Sequence, residues 1–184
     1  ETTNKNAFFG LYQRISSYFA GTELASSGLP QGKELEILDE VKADLPPEVF
    51  TTEYKNPVGG DNAKMRDNYR AALALLKEAG WSLKGRQLVN DKTGEPFMIE
   101  LIDESPITER FALPYAESLK RIGIELSFRL VDSSAITERQ RKFDYDMIAH
   151  VWGQSLSPGN EQREFWSSTS ADREGSQNYA GIKN

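Results

Sequence analysis

Between Phe97 and Trp152 the chain alternates two kinds of apolar pattern, and that alternation leaves few folds open. Phe97 to Asp103 reads as a strand and a helix follows to Ile122. Ile124 to Val131 is a second strand, about Ser133 to Lys142 a second helix, and Tyr145 to Trp152 a third strand. Such βαβαβ order implies parallel strands with right-handed crossovers. Ile124, Leu126, Phe128 and Leu130 alternate with Glu125, Ser127 and Arg129, so the second strand is expected to bury one face only. The apolar run Tyr145–Trp152 suits a strand covered on both faces. The expected fold class is therefore α/β, a mixed sheet with a parallel βαβαβ core and flanking helices.

The third strand runs into the turn-rich segment GQSLSPGN, and EQREFW then opens a short helix. A loop at a strand's carboxyl end, beside the unpaired N–H groups of a helix, is where open α/β sheets collect ligands. Trp152 at its lip offers a wide apolar surface with one donor. The competing reading is a buried strand with an ordinary connecting loop.

Upstream, Phe8, Leu11, Tyr12 and Ile15 fall at the spacing of one helix face, predicting a helix over residues 4–15. A long loop follows, with Arg14, Tyr18 and Phe19 near its start; long ordered loops tend to carry function, although packing also explains a Tyr-Phe pair. A short helix is expected from Glu34 to Asp44 with Leu35, Leu38 and Val41 inward, stopped by Pro46-Pro47. Residues 1–45 thus form N-terminal helices and loop, 46–60 a connecting loop with three prolines and two glycines, and 61–184 the α/β core. Asp61 is placed to cap a helix whose stripe is Met65, Tyr69, Ala72, Leu73 and Leu76, and Gly80 to end it, with Trp81 packing back. Arg86–Asn90 and Glu95–Asp103 are expected to pair as a hairpin through Asp91-Lys92-Thr93-Gly94. Pro114 argues for a helix start near Phe111, which leaves the proline in the first turn, and Gly123 closes that helix. After Trp166 no period is visible. A helix opening almost at residue 1 and a chain ending without a closing element are what a piece of a longer protein would show.

Composition removes several function classes. The net charge of −6 is spread without a basic block, so neither nucleic acid nor an anionic membrane is an expected partner. No apolar run approaches the ~20 residues that span a bilayer. With no cysteine, disulfides, thiolate metal sites and cysteine nucleophiles are excluded. His150, the single histidine, can be drawn with Ser155 and Asp146 as a triad, but no GxSxG elbow surrounds the serine, and a structural histidine is the expectation. Asp144 and Asp146 share a strand face without the ligand density of a calcium loop. Neither GxGxxG after a strand nor GxxxxGK[ST] occurs, so no cofactor and no metal is expected. A binding module is the default, with a stand-alone α/β enzyme of unrecognised type as the alternative.

Several stretches point further: FFGLYQRISSYFAGTELASSGLP at 8–30, NYRAALALLKEAGW at 68–81 and TGEPFMIEL at 93–101. LKRIGIELSFRLVD at 119–132, FDYDMIAHVWGQSLSPGNEQREFWSS at 143–168 and NYAGIKN at 178–184 continue the series. In this order they resemble the carboxyl-terminal lobe of periplasmic oligopeptide-binding proteins of ABC transporters, the family 5 extracellular solute-binding proteins. The likeness is to the branch associated with uptake of microcin C and related peptides. The resemblance implies a type II periplasmic-binding-protein-like lobe, part of a two-lobed secreted receptor that encloses a peptide or modified peptide and hands it to a membrane permease. It places Trp152, Gly153, Gln154, Ser155 and Ser157 at the ligand, with Arg14, Tyr18 and Phe19 near the cleft. In family members that grip free peptides, an acidic residue three or four positions after the tryptophan takes the amino group. The corresponding positions here are Gln154, Ser155 and Leu156, so the resemblance implies a modified or unusual peptide.

Overall fold

The computed structural model describes residues 2–183. At its centre is a three-stranded parallel sheet, ordered β4-β3-β5, made of β3 (Met98–Asp103), β4 (Glu125–Leu130) and β5 (Met147–Ile148). Met98 pairs with Glu125 and Asp103 with Leu130, while Leu101 and Ile102 face Met147 and Ile148. The crossovers are α5 (Glu109–Lys120) and α6 (Ser133–Lys142), so the predicted βαβαβ core is present. As expected, β4 buries one face: Leu126 is buried and Phe128 half-buried between exposed neighbours, although Leu130 at the strand end is exposed.

Asp61 accepts the Lys64 N–H at 2.8 Å and opens α4 (Asn62–Glu78), whose stripe Tyr69, Ala72, Leu73 and Leu76 packs on buried Leu88, Ile122 and Ile124. Gly80 ends it at φ 85°, and Trp81 turns back to lie 4.4 Å from the Phe97 ring. A second cluster, Leu101, Ala112 and Leu126, joins the first through Ile99 and Leu119. Gly123 takes φ 82°, and a Cβ there would lie 2.6 Å from the Leu88 nitrogen, so the turn after α5 admits no side chain.

Several expectations are corrected. The first helix, α1 (Thr2–Phe8), stops seven residues early because Phe9 and Gly10 both turn left-handed. The Gly10 N–H then reaches back to the Asn4 carbonyl at 3.0 Å, and Asn4's side chain bonds the Tyr12 backbone. Leu11, Tyr12 and Ile15 are exposed. The next helix, α2, is Gly32–Glu40; Leu35 and Leu38 are half-buried, but Val41 is exposed beyond its end. The segment 46–60 contains a short helix, α3 (Glu48–Thr51).

Residues 86–90 pair chiefly with a strand not expected: β1 (Trp81–Lys84) and β2 (Gln87–Asn90) form an antiparallel hairpin. The expected partner meets β2 only at its start, through the Val89–Pro96 bridge and the bonds from Asn90 N–H to the Glu95 carbonyl at 2.9 Å and from Phe97 N–H to the Leu88 carbonyl at 2.8 Å. Pro96 has no N–H to extend that ladder, and β3 leaves to join the parallel sheet. Pro114 lies inside α5, not in its first turn. The start is set upstream, where the Asp103 carboxylate accepts the Glu104 and Ser105 N–H groups and the Thr108 hydroxyl, and Ser105 accepts the Ile107 N–H. Pro114 and Arg110, four residues earlier, are both exposed, so the carbonyl that the proline leaves without an N–H partner lies on the solvent side of the helix.

The apolar run 145–152 yields a strand of two residues. The Asp146 carboxylate takes the Glu100 N–H at 2.9 Å, replacing a ladder bond, and Val151 is 88% exposed. The chain closes with α7 (Glu161–Trp166), as expected, and α8 (Ser168–Ala171), which was not. Among the described residues no helix is long and apolar enough to cross a membrane.

Candidate functional site

The loop expected to touch ligand leaves the carboxyl end of β5, an edge strand, and returns through α7. Glu161 braces the return: its carboxylate accepts the Gly159 N–H at 2.7 Å, and that bond holds the carboxyl below its usual range. Trp152 is half-buried in an aromatic stack. Its ring centroid lies 5.0 Å from His150, 5.1 Å from Trp166, 6.4 Å from Tyr179 and 6.5 Å from Phe165. Its indole N–H donates to the Gln177 carbonyl at 3.3 Å, so the donor expected to face a ligand is engaged inside the protein.

Tyr18 and Phe19 arrive at this stack from the other end of the chain. Tyr18 stands edge-on to Trp166 at 5.3 Å and to Phe19 at 4.9 Å, and 40% of it is exposed. Its hydroxyl accepts from the Gln154 amide, whose own carbonyl accepts from Gln162 Nε2 at 2.7 Å. Tyr18, Phe19, Trp152 and Gln154 thus form one ledge. Gly153 and Ser155 lie at its exposed rim, and Ser155 Oγ closes a local turn on the Ser157 carbonyl at 2.7 Å. Val151 and Leu156, 88% and 84% exposed, flank the rim as bare apolar side chains.

Arg14 does not join the ledge. Its guanidinium donates to the Pro57 carbonyl at 2.7 Å and to Asn56 Oδ1 at 3.2 Å, while Asn56 Nδ2 returns a bond to the Ile15 carbonyl. The arginine staples the N-terminal loop to residues 56–57.

The ledge is backed by the stretch that had no readable period. Asn178, fully buried, donates to the Ser167 and Ile182 carbonyls at 3.0 Å and accepts the Ile182 N–H at 3.1 Å. That knot holds Tyr179 against His150 at 4.5 Å and presents the Gln177 carbonyl to Trp152. Tyr145 donates to the Tyr179 carbonyl at 2.9 Å, and burial pushes its phenol up to about 12. Burial also holds His150 below its ordinary range. Sequence reasoning missed Gln162, Trp166 and Tyr179; the one available signal was two aromatics together at the end of α7.

The candidate triad is not assembled. Ser155 bonds Ser157, Asp146 bonds the Glu100 backbone, and His150 packs between Trp152 and Tyr179. Asp144 pairs with Arg139 at 3.5 Å, and among the described residues no three His, Cys, Asp or Glu side chains gather as for a metal ion.

The chain is 58% identical over 182 residues to the uncharacterized protein y4wM of Sinorhizobium fredii, an alignment covering 99% of this chain and 28% of that protein. It is 54% identical over 184 residues to the probable peptide-binding protein YejA of Agrobacterium fabrum, covering all of this chain and 30% of that protein. The chain therefore spans less than a third of the length of these relatives. Among solved structures, the oligopeptide-binding protein AppA of Bacillus subtilis, in complex with a nonapeptide, matches the whole chain and 31% of its own, with TM-score 0.66 and 21% identity. That likeness is one of fold. The model of the bacterial extracellular solute-binding proteins, family 5 middle region, matches residues 1–174. With the α/β lobe, the ledge at the carboxyl end of its edge strand and a family match over nearly its whole length, the chain belongs to the family 5 bacterial extracellular solute-binding proteins.

Proposed function

We propose that this chain is the ligand-contacting part of one lobe of a periplasmic receptor that captures oligopeptides or modified peptides and delivers them to the permease of an ABC transporter. The observation that carries the reading is the ledge itself. Trp152, Tyr18 and Trp166 expose an aromatic edge at the mouth of the β5 loop, rimmed by Val151 and Leu156, with Gln154 as the polar group at its centre. Clefts that hold flexible peptides combine apolar area with a few placed polar groups, and the ledge offers both. The peptide named for AppA and the description of YejA support the same ligand class.

No carboxylate stands at Gln154, Ser155 or Leu156, so this loop has no charge to pair with an ammonium group. Recognition here rests on apolar contact and neutral hydrogen bonds. The test uses the intact receptor: ligand that co-purifies is identified by mass spectrometry and its affinity measured by calorimetry. Peptides are expected, with Trp152→Ala costing about 2 kcal/mol, roughly 30-fold in Kd. Acetylating the peptide's amino group is expected to change Kd by less than about tenfold. A hundredfold loss on acetylation, roughly 2.7 kcal/mol, would put an acidic anchor elsewhere in the cleft.

A further inference from the structure

Three neutral side chains on the ledge form a hydrogen-bond chain with a direction. Gln162 on α7 donates to the Gln154 carbonyl, and the Gln154 amide donates to the Tyr18 oxygen. The tyrosine oxygen is thereby an acceptor within the protein, and its own hydrogen must point elsewhere. Among the described residues no acceptor is bonded to it. The ring has little freedom to search for one, clamped edge-on by Phe19 at 4.9 Å and Trp166 at 5.3 Å. A phenol that accepts one bond becomes a stronger donor in the next, because successive bonds polarise one another.

We infer that the Tyr18 hydroxyl is a specificity-determining donor aimed at a carbonyl of the bound ligand, and that Gln162, which touches no ligand, is its positioning residue through Gln154. The ligand group is an amide carbonyl, in an internal peptide bond or in an acyl cap on the amino terminus. A free ammonium, itself a donor, has no lone pair to accept the hydrogen of this hydroxyl. The inference rests on the peptide-receptor reading above and adds to it the chemical group that the ledge selects.

The intact receptor is incubated with two tripeptide libraries of equal composition, one with free and one with acetylated amino termini, and retained peptides are quantified by mass spectrometry. Tyr18→Phe keeps the ring stack and removes only the hydroxyl; it is expected to lower retention roughly tenfold, the scale of one well-made hydrogen bond. Loss from both libraries assigns an internal carbonyl, and loss from the acetylated library alone assigns the cap; either supports the inference. Gln162→Leu is expected to weaken retention severalfold in the wild-type background and to do nothing further in the Tyr18→Phe background, a coupling that a purely structural role would not produce. If Tyr18→Phe retains peptides like wild type while Trp152→Ala loses them, the directed donor is wrong and the ledge stands. If wild type retains neither library, or Trp152→Ala changes nothing, the peptide ledge itself fails.

Discussion

The first third of the chain and the α/β part are built differently. Between residues 3 and 61 no described side chain is buried, whereas every buried apolar residue lies at or after Leu88, with α4 packed against that core. The later region is held by apolar burial around Leu88, Leu101 and Ile102 and by the Asn178 knot. The earlier one is tied on by polar staples such as Arg14–Asn56 and by a few ring contacts, Phe8 on Phe111 and Tyr18 on Trp166. Phe9 and Leu11 are above 80% exposed there. The ledge lies on the seam: its tyrosine comes from the loosely held region and its tryptophans from the firmly held one. Segments held by few apolar contacts open at low free-energy cost, a property compatible with the ligand-contacting role proposed above.

Because the core is self-contained, the isolated chain is expected to fold alone yet bind ligand poorly, since a cleft receptor divides its contacts between two lobes. Equal dissociation constants for this chain and the intact receptor would contradict that. The contrast between regions is then tested by unfolding measurements on the chain, in order of expected size. Ile102→Ala, at a fully buried position, should cost about 3–4 kcal/mol, near the upper part of the range for core truncations. Gly123→Ala, which forces a Cβ onto the Leu88 nitrogen at positive φ, should cost about 2–3 kcal/mol, but Gly28→Ala, with similar φ 80° and open space, only about 1. Asn178→Ala should cost about 2 kcal/mol by leaving buried backbone groups unpaired, and should expose the Trp152 stack to fluorescence quenchers. Leu11→Ala should stay within about 0.5 kcal/mol; a cost like that of Ile102→Ala would erase the distinction between the regions.

The smallest expected effect is on pH. Burial depresses His150, so the folded state binds fewer protons than the unfolded one between the folded value and about 6.5. Stability contributed by neutral His150 is present above 6.5 and is lost as pH falls through the folded value; His150→Gln should flatten that part of the profile.

The parallel core was legible because alternation and helical spacing are local: Asp61, Gly80, Gly94 and Gly123 all do what their neighbourhoods predict. Elements decided by distant partners were not. β5 shrinks to two residues because Asp146 takes a backbone N–H from Glu100, 46 residues away. The stretch Leu11–Ile15 has helical spacing but no surface to cover, and Gly10 is free to end the helix. Trp152 and Tyr18 were both visible as candidates, yet the bond joining Gln154 to Tyr18 spans 136 residues, and nothing local marks Gln162 as its support.

If the proposed site is right, both regions meet the ligand at one ledge. Hydrogen exchange on the intact receptor, with and without a co-purified peptide, reads this out at both segments at once. Peptide is expected to slow exchange together at residues 16–20 and 152–157, and Trp152→Ala to remove both protections. Protection confined to other segments, with these two unchanged, would contradict it.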